Sequence, residues 1–246
     1  MIEDEVEIRT ADGVSDGVLY RAEGGGRSPG VIHLTDIGGI RPAQREMARR
    51  LAGLGYVVLM PNVFYRTRRP PMFDFPLNMA EERTRKRLDE LREPLTPEAV
   101  ERDAGSYLDF LAAHDAVAES TMGVVGYCFT GGLAMRVAAA RPASIAAAAS
   151  FHGGGLLTDA PASPHLVLPR IKARLYFGHA TADRSMPQEA IDKLSLALKS
   201  WGGRYESEVY AGAYHSWTTP DSPLYNQPAA ERAFEKLKAL LGECLA

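Results

Sequence analysis

The sequence is poor in cysteine and has no long apolar run. Its 246 residues hold two cysteines, Cys128 and Cys244, too few for a disulfide framework at this length, so a reducing, cytoplasmic setting is expected. No stretch approaches the roughly 20 apolar residues of a membrane span, and the opening Met1-Ile2-Glu3-Asp4-Glu5 lacks a signal-peptide apolar core. A basic excess is also missing: 28 Lys and Arg face 31 Asp and Glu, a net charge of −3, which argues against a nucleic-acid partner or an anionic membrane surface. There is no phosphate-binding Walker loop, no Gly-x-Gly-x-x-Gly, no His-Glu-x-x-His and no Cys-x-x-Cys, so nucleotide, zinc-protease and dithiol chemistry lose their usual signatures. No serine elbow is expected either. Repeats and low-complexity tracts are lacking, which predicts one domain over 1–246. With 46% hydrophobic and 24% charged residues, the chain can bury a large core.

What is present is an alternation of strand and helix signals. Segments 6–10 and 17–22 flank an Asp12-Gly13 turn and read as a hairpin. The apolar run 30–34 reads as a buried strand, followed by a loop over 35–41. A helix over 42–54 opens with Pro42 and stops at Gly55, and strand 56–60 ends at Pro61. Residues 64–75 form a loop rich in aromatics, arginines and prolines. Segment 77–95 is highly charged, with Leu77, Ala80, Leu88 and Leu91 at helical spacing and its charges on a solvated face. Thr96-Pro97-Glu98 opens the next helix with a capping Thr and Pro at its first position. Then follow strand 122–126, helix 128–140, strands 144–151 and 172–177, helix 187–201, strand 204–210 and a closing amphipathic helix over 226–241. This order predicts an α/β fold, a mostly parallel central sheet with helices on both faces. Ligands in such sheets sit at the carboxyl ends of the strands.

The sharpest motif is Gly123-Val124-Val125-Gly126-Tyr127-Cys128-Phe129-Thr130-Gly131-Gly132, between an apolar strand and an apolar helix. A small residue two before a nucleophile permits a tight strand-to-helix turn. That turn aims backbone N–H groups and the helix dipole at the reacting group. A thiol at a helix start beside an imidazole is activated toward thiolate. The other reading of Cys128 is a small buried apolar residue. Cys244 has no comparable context.

Such a nucleophile needs a base, and the base an orienting acid, in the chain order nucleophile, acid, histidine. Downstream histidines are His152, His165, His179 and His215. His215, in Ala211-Gly212-Ala213-Tyr214-His215-Ser216-Trp217, lies after the last strand and before the last helix, where the base belongs. Asp183 follows the preceding strand and is the acid candidate, or else a helix cap. Asp192 falls inside a helix and Asp159 follows a different strand. The expected oxyanion donors are the backbone N–H groups of Phe129 and, in the loop Thr35-Asp36-Ile37-Gly38-Gly39, of Ile37. His179 and Asp183 have metal-ligand spacing only on a helix, and their segment reads as strand then loop, so neither metal nor cofactor is expected. Phe64, Tyr65, Phe73, Tyr127 and Trp217 are candidate pocket walls, or core.

These segments resemble the dienelactone hydrolase family, a branch of the α/β-hydrolase superfamily with a Cys-His-Asp triad. The resemblance rests on Gly126-Tyr127-Cys128-Phe129, the Asp183 loop and Gly212-Ala213-Tyr214-His215-Ser216. It implies an α/β-hydrolase fold and hydrolysis of a small ester or lactone, such as a cyclic enol-lactone, through a thioester-linked acyl-enzyme. Three positions depart from the family pattern. Thr130 stands where the elbow usually has Gly, and its methyl is expected to crowd the turn or reshape the pocket. Asp36 stands where characterised members have a Glu that contacts the resting thiol. Thr219 stands where they have an Arg, four residues after the histidine, for the substrate carboxylate. A second such Arg corresponds to Arg66 or Arg68, unless these and Arg69 are solvated surface charges. A less acidic relative of dienelactone is therefore the expected substrate. The rival readings are a non-catalytic small-molecule binder with a packed or redox-sensing Cys128, and a thioesterase or peptidase-like acyl hydrolase.

Overall fold

The structure, a computed structural model, describes residues 1–24, 26–118 and 121–245. Its strands are β1 (Ile2–Thr10), β2 (Gly13–Arg21), β3 (Gly30–Leu34), β4 (Val57–Pro61), β5 (Met122–Tyr127), β6 (Ile145–Phe151), β7 (Arg174–Ala180) and β8 (Tyr205–Tyr210). The helices are α1 (Pro42–Ala52), α2 (Glu82–Arg92), α3 (Pro97–Ala112), α4 (Thr130–Ala140), α5 (Gln188–Trp201) and α6 (Gln227–Cys244). All eight strands join one sheet in the order β1-β2-β4-β3-β5-β6-β7-β8. The β1–β2 and β2–β4 pairs are antiparallel and the rest parallel. This is the α/β-hydrolase arrangement.

Alternation within the central strands assigns the two faces. Ile32, Leu59 and Val124 pack with residues of α3, α4 and α5 on one side. Their neighbours Val31, Val58 and Val125 pack with residues of α1 and α6 on the other. Both faces are covered, so β3, β4 and β5 are buried at every residue, which is why they read as largely apolar runs. From β3 the chain steps to β4 on one side; from β5 it proceeds to β6, β7 and β8 on the other. The strand order thus reverses between β3 and β5, and a crevice opens outside their carboxyl ends.

Several boundaries differ from the sequence expectation. The 77–95 helix is shorter, Glu82–Arg92, because Asn78 builds a turn ahead of it: its carbonyl accepts from Glu81 N and its Oδ1 from Ala80 N. The 128–140 helix begins at Thr130, leaving Cys128 in the turn. The 172–177 strand runs to Ala180, so His179 is on β7 rather than in a loop. Residues Pro164–Arg170, unassigned in the sequence, form a 3₁₀ helix. Among the described residues no helix is long and apolar enough to cross a membrane.

Candidate active site

Register brings the site together. Leu34 of β3 pairs with Gly126 of β5, so Ile37 and Phe129 each lie three residues past one rung. Tyr127 pairs with Phe151, so Cys128 and His152 are each the next residue along. Ala180 pairs with Tyr210, which sets the Asp183 and His215 loops side by side.

Cys128 sits at φ +58°, a left-handed conformation that few side chains adopt. The turn is possible because its neighbours are small. A Cβ on Gly126 would lie 2.2 Å from the Thr130 carbonyl oxygen, and one on Gly131 would lie 2.2 Å from Ser150 Oγ. Thr130 does not crowd the turn. It is fully buried, and its hydroxyl accepts from Tyr127 N at 2.9 Å and donates toward Leu34 O at 3.1 Å, tying β5 to β3.

The three predicted triad residues lie in line. Cys128 Sγ is 3.0 Å from His215 Nε2, and His215 Nδ1 is 2.6 Å from Asp183 Oδ2. Ser185, which the sequence did not single out, donates from its hydroxyl to Asp183 Oδ1 at 2.6 Å and from its amide at 2.8 Å. Burial pulls the Asp183 carboxyl upward, but the His215 and Ser185 hydrogen bonds overcome it and hold the pKa below the ordinary value. Burial likewise pulls His215 down, yet the hydrogen bonds and charges of Asp183 and Cys128 outweigh it and lift the ring to about 10.

The amides of Phe129 and Ile37 have no acceptor among the described residues. They are therefore available to a ligand oxygen in the crevice.

His152 was passed over in the sequence and is the second imidazole at the thiol. It is fully buried at φ +41°. Its Nδ1 accepts the Cys128 amide at 3.0 Å, so Nε2 carries the hydrogen and donates to Thr218 Oγ1 at 2.7 Å. Burial, then the neighbouring His215, hold its pKa well below the usual histidine value. A positive φ and partners 24 and 66 residues away leave no local signal for this role.

The expected pocket walls separate into groups. Phe64 is buried and stacks on Phe129 with centroids 6.2 Å apart, and Phe73 packs edge-on against Phe75. Tyr65 and Arg66 are committed elsewhere: the Tyr65 hydroxyl bonds Thr10 and Asp103, while the Arg66 guanidinium spans Asp103 and Asp12. Asp103 is buried, so the Arg66 charge neutralises it and is not a free substrate clamp. Among the described residues, the Arg68 guanidinium has only long contacts, 3.4 Å to Met72 O and 3.7 Å to Asp74. Trp217 is fully buried between Tyr210 and His152 and is core, not wall. Tyr127 points into the α1/α6 side of the sheet. Asp36 does not reach for the thiol: Arg41 grips it at 2.6 and 2.8 Å, and Gly38 N, Gln44 and Thr219 complete its shell. Thr219 therefore contacts Asp36 instead of offering a cation. The cation that sequence reasoning missed is Arg92, exposed at the end of α2, 5.7 Å over the Phe129 ring, with no ion pair among the described residues.

A Gly-x-Ser-x-Gly pattern does occur, at Gly13-Val14-Ser15-Asp16-Gly17. It lies in hairpin strand β2, where the buried Ser15 hydroxyl donates to Asn62 O at 3.0 Å, so it forms no elbow.

The family model of the dienelactone hydrolase family matches residues 15–245. A carboxymethylenebutenolidase of Rhodococcus opacus is 30% identical over 83% of this chain and 78% of its own length. One from Pseudomonas putida is 26% identical over 96% of this chain and 94% of its own. A solved candidate dienelactone hydrolase from Klebsiella pneumoniae superposes with a TM-score of 0.87 at 21% identity, covering 98% of each chain.

Proposed function

The chain belongs to the dienelactone hydrolase family, and from that premise we propose that it hydrolyses a small carboxylic ester or lactone, with Cys128 as nucleophile, His215 as proton carrier and Asp183 as its orienting acid. One observation supports this most: the unbroken line from Sγ through both ring nitrogens to a carboxylate, at 3.0 and 2.6 Å.

His215, whose ring is lifted to about 10 by Asp183 and Cys128, takes the Cys128 proton, and the thiolate attacks. The new C–S bond forms as the carbonyl π pair moves to oxygen. That oxyanion accepts hydrogen bonds from Phe129 N–H and Ile37 N–H, each commonly worth about 3 kcal/mol in such sites. The C–O bond then breaks, and His215 gives its proton to the departing alkoxide or enolate. An enolate leaves readily, which suits a sulfur nucleophile. Water next loses a proton to the neutral ring while its oxygen attacks the thioester, and C–S cleavage returns the thiolate and imidazolium with release of the acid. His152 holds the Cys128 amide and keeps the sulfur on the His215 line. Arg92 offers a cation beside Phe129 for an anionic group on the substrate.

The test is Cys128→Ala, assayed with an enol-lactone, an aryl acetate and an acyl thioester. We expect kcat/KM to fall about 10³-fold or more on the best substrate, with the fold intact by circular dichroism. Turnover equal to the parent would remove Cys128 from the mechanism. A wild-type preference for the thioester would redirect the substrate class.

A further inference from the structure

Away from the Cys128 crevice, between α1 and α6, lies a second cavity of about 220 Å³. Its walls include Met47, Arg50, Tyr127, Phe151, Thr218 and Phe234, and none of Cys128, Asp183, His215, Phe129 or Ile37. Tyr127 and Phe151 stack with centroids 5.7 Å apart. Opposite them, the Arg50 guanidinium lies 3.7 Å over the Phe234 ring.

Two features mark the space as built for a ligand rather than as loose packing. First, Tyr127 is only 5% exposed, yet its hydroxyl has no hydrogen-bond partner among the described residues. The hydroxyl oxygen is not itself among the sealed, unpartnered polar atoms: the ring is buried while the oxygen keeps its small exposure, and the cavity that Tyr127 lines is a space in which a ligand atom can partner it. Burial raises the Tyr127 pKa above the ordinary value, so the group remains a neutral donor. Second, the charge at the mouth is already balanced, because Arg50 is bidentate to Glu231. No spare charge awaits an ion.

Size narrows the occupant. A dry cavity of about 150 Å³ takes benzene, whereas drug-sized ligands need about 300 Å³ or more. We propose that this cavity is a second small-molecule site, taking a neutral one-ring aromatic compound whose carbonyl oxygen accepts the Tyr127 hydroxyl. Such a ligand would lie against Tyr127, the residue before Cys128, and Thr218, which holds His152 at 2.7 Å.

The probe is 4-fluoroacetophenone, titrated into the full chain after alkylation of Cys128 with iodoacetamide, so that the crevice thiol is blocked. Fluorine NMR should show saturable binding with a Kd of about 0.1–1 mM, as expected for ten non-hydrogen atoms. Tyr127→Phe removes only the unpartnered hydroxyl and should weaken binding about three- to tenfold. Ala233→Leu, which projects into the cavity from α6, should abolish it. Thermal midpoints near the parent's would show that both variants fold. If Ala233→Leu does not fold, Tyr127→Phe alone decides. No saturable binding to the alkylated protein, or unchanged affinity in Tyr127→Phe, overturns the proposal.

Discussion

The turn after β6 and the loop after β8 both bring an imidazole to Cys128, and the two rings are driven in opposite directions. Their centroids are 5.3 Å apart. His152 meets an amide and a hydroxyl, neither of which rewards a positive charge, and burial holds it well below the usual value. His215 meets a carboxylate and a thiol, and their pull outweighs burial to lift it to about 10. Partners, more than position, decide whether a histidine moves protons or acts as a strut.

Matched substitutions would break this contrast. The largest effect is expected from His215→Asn, which deletes the proposed proton carrier. Steady-state assays on an aryl acetate should show kcat/KM lower by about 10³-fold or more. A loss under tenfold would mean that another group handles the proton.

His33 permits the burial effect to be measured on a ring outside the proposed triad. It is fully buried against Gln44, and its pKa falls from 6.5 to about 4 through desolvation. A histidine depressed in the folded state contributes stability above the unfolded pKa, and that contribution is lost as pH falls toward the folded value. Urea unfolding at pH 7 and pH 5 should therefore show a drop that is smaller by about 2 kcal/mol in His33→Gln than in the parent. Equal drops would show that His33 is not held neutral. His215 has the opposite sign: its contribution is complete below pH 6.5 and is lost as pH rises through about 10.

The smallest effect sharpens the comparison. In His152→Asn, Oδ1 takes the place of Nδ1 as acceptor for the Cys128 amide. A loss of about tenfold or less is expected, in kcat with KM unchanged. A loss matching that of His215→Asn would move His152 into the proton-transfer path.

Much of this was legible in the sequence because the signals are local. The runs at 30–34 and 122–126 announce strands buried on both sides, and Gly126 with Gly131 announces the elbow whose sterics demand them. His215 and Asp183 followed from strand order alone. Most of the misses depend on which partner a side chain finds in the fold. Glu3 lies in β1 paired with Arg45 and Arg49 of α1, so an acidic opening became part of a strand four residues longer than the alternation at 6–10 suggested. Arg66 and Asp103 find each other across 37 positions, and Asp36 is taken by Arg41 before it can approach the thiol. Arg92 looked like one more charge on a solvated helix until the fold placed it over Phe129.

Among the described residues, four non-glycine residues have positive φ: Cys128, His152, Ala182 and Ser216. Each is a member of the Cys128 constellation, its direct contact, or the chain neighbour of Asp183 or His215. Such conformations cost about 1–2 kcal/mol each, so tension in the backbone is gathered around the proposed reacting groups. Directed evolution toward heat tolerance would find relief at these positions first, Ala182→Gly among them, and would blunt the aim in the same step.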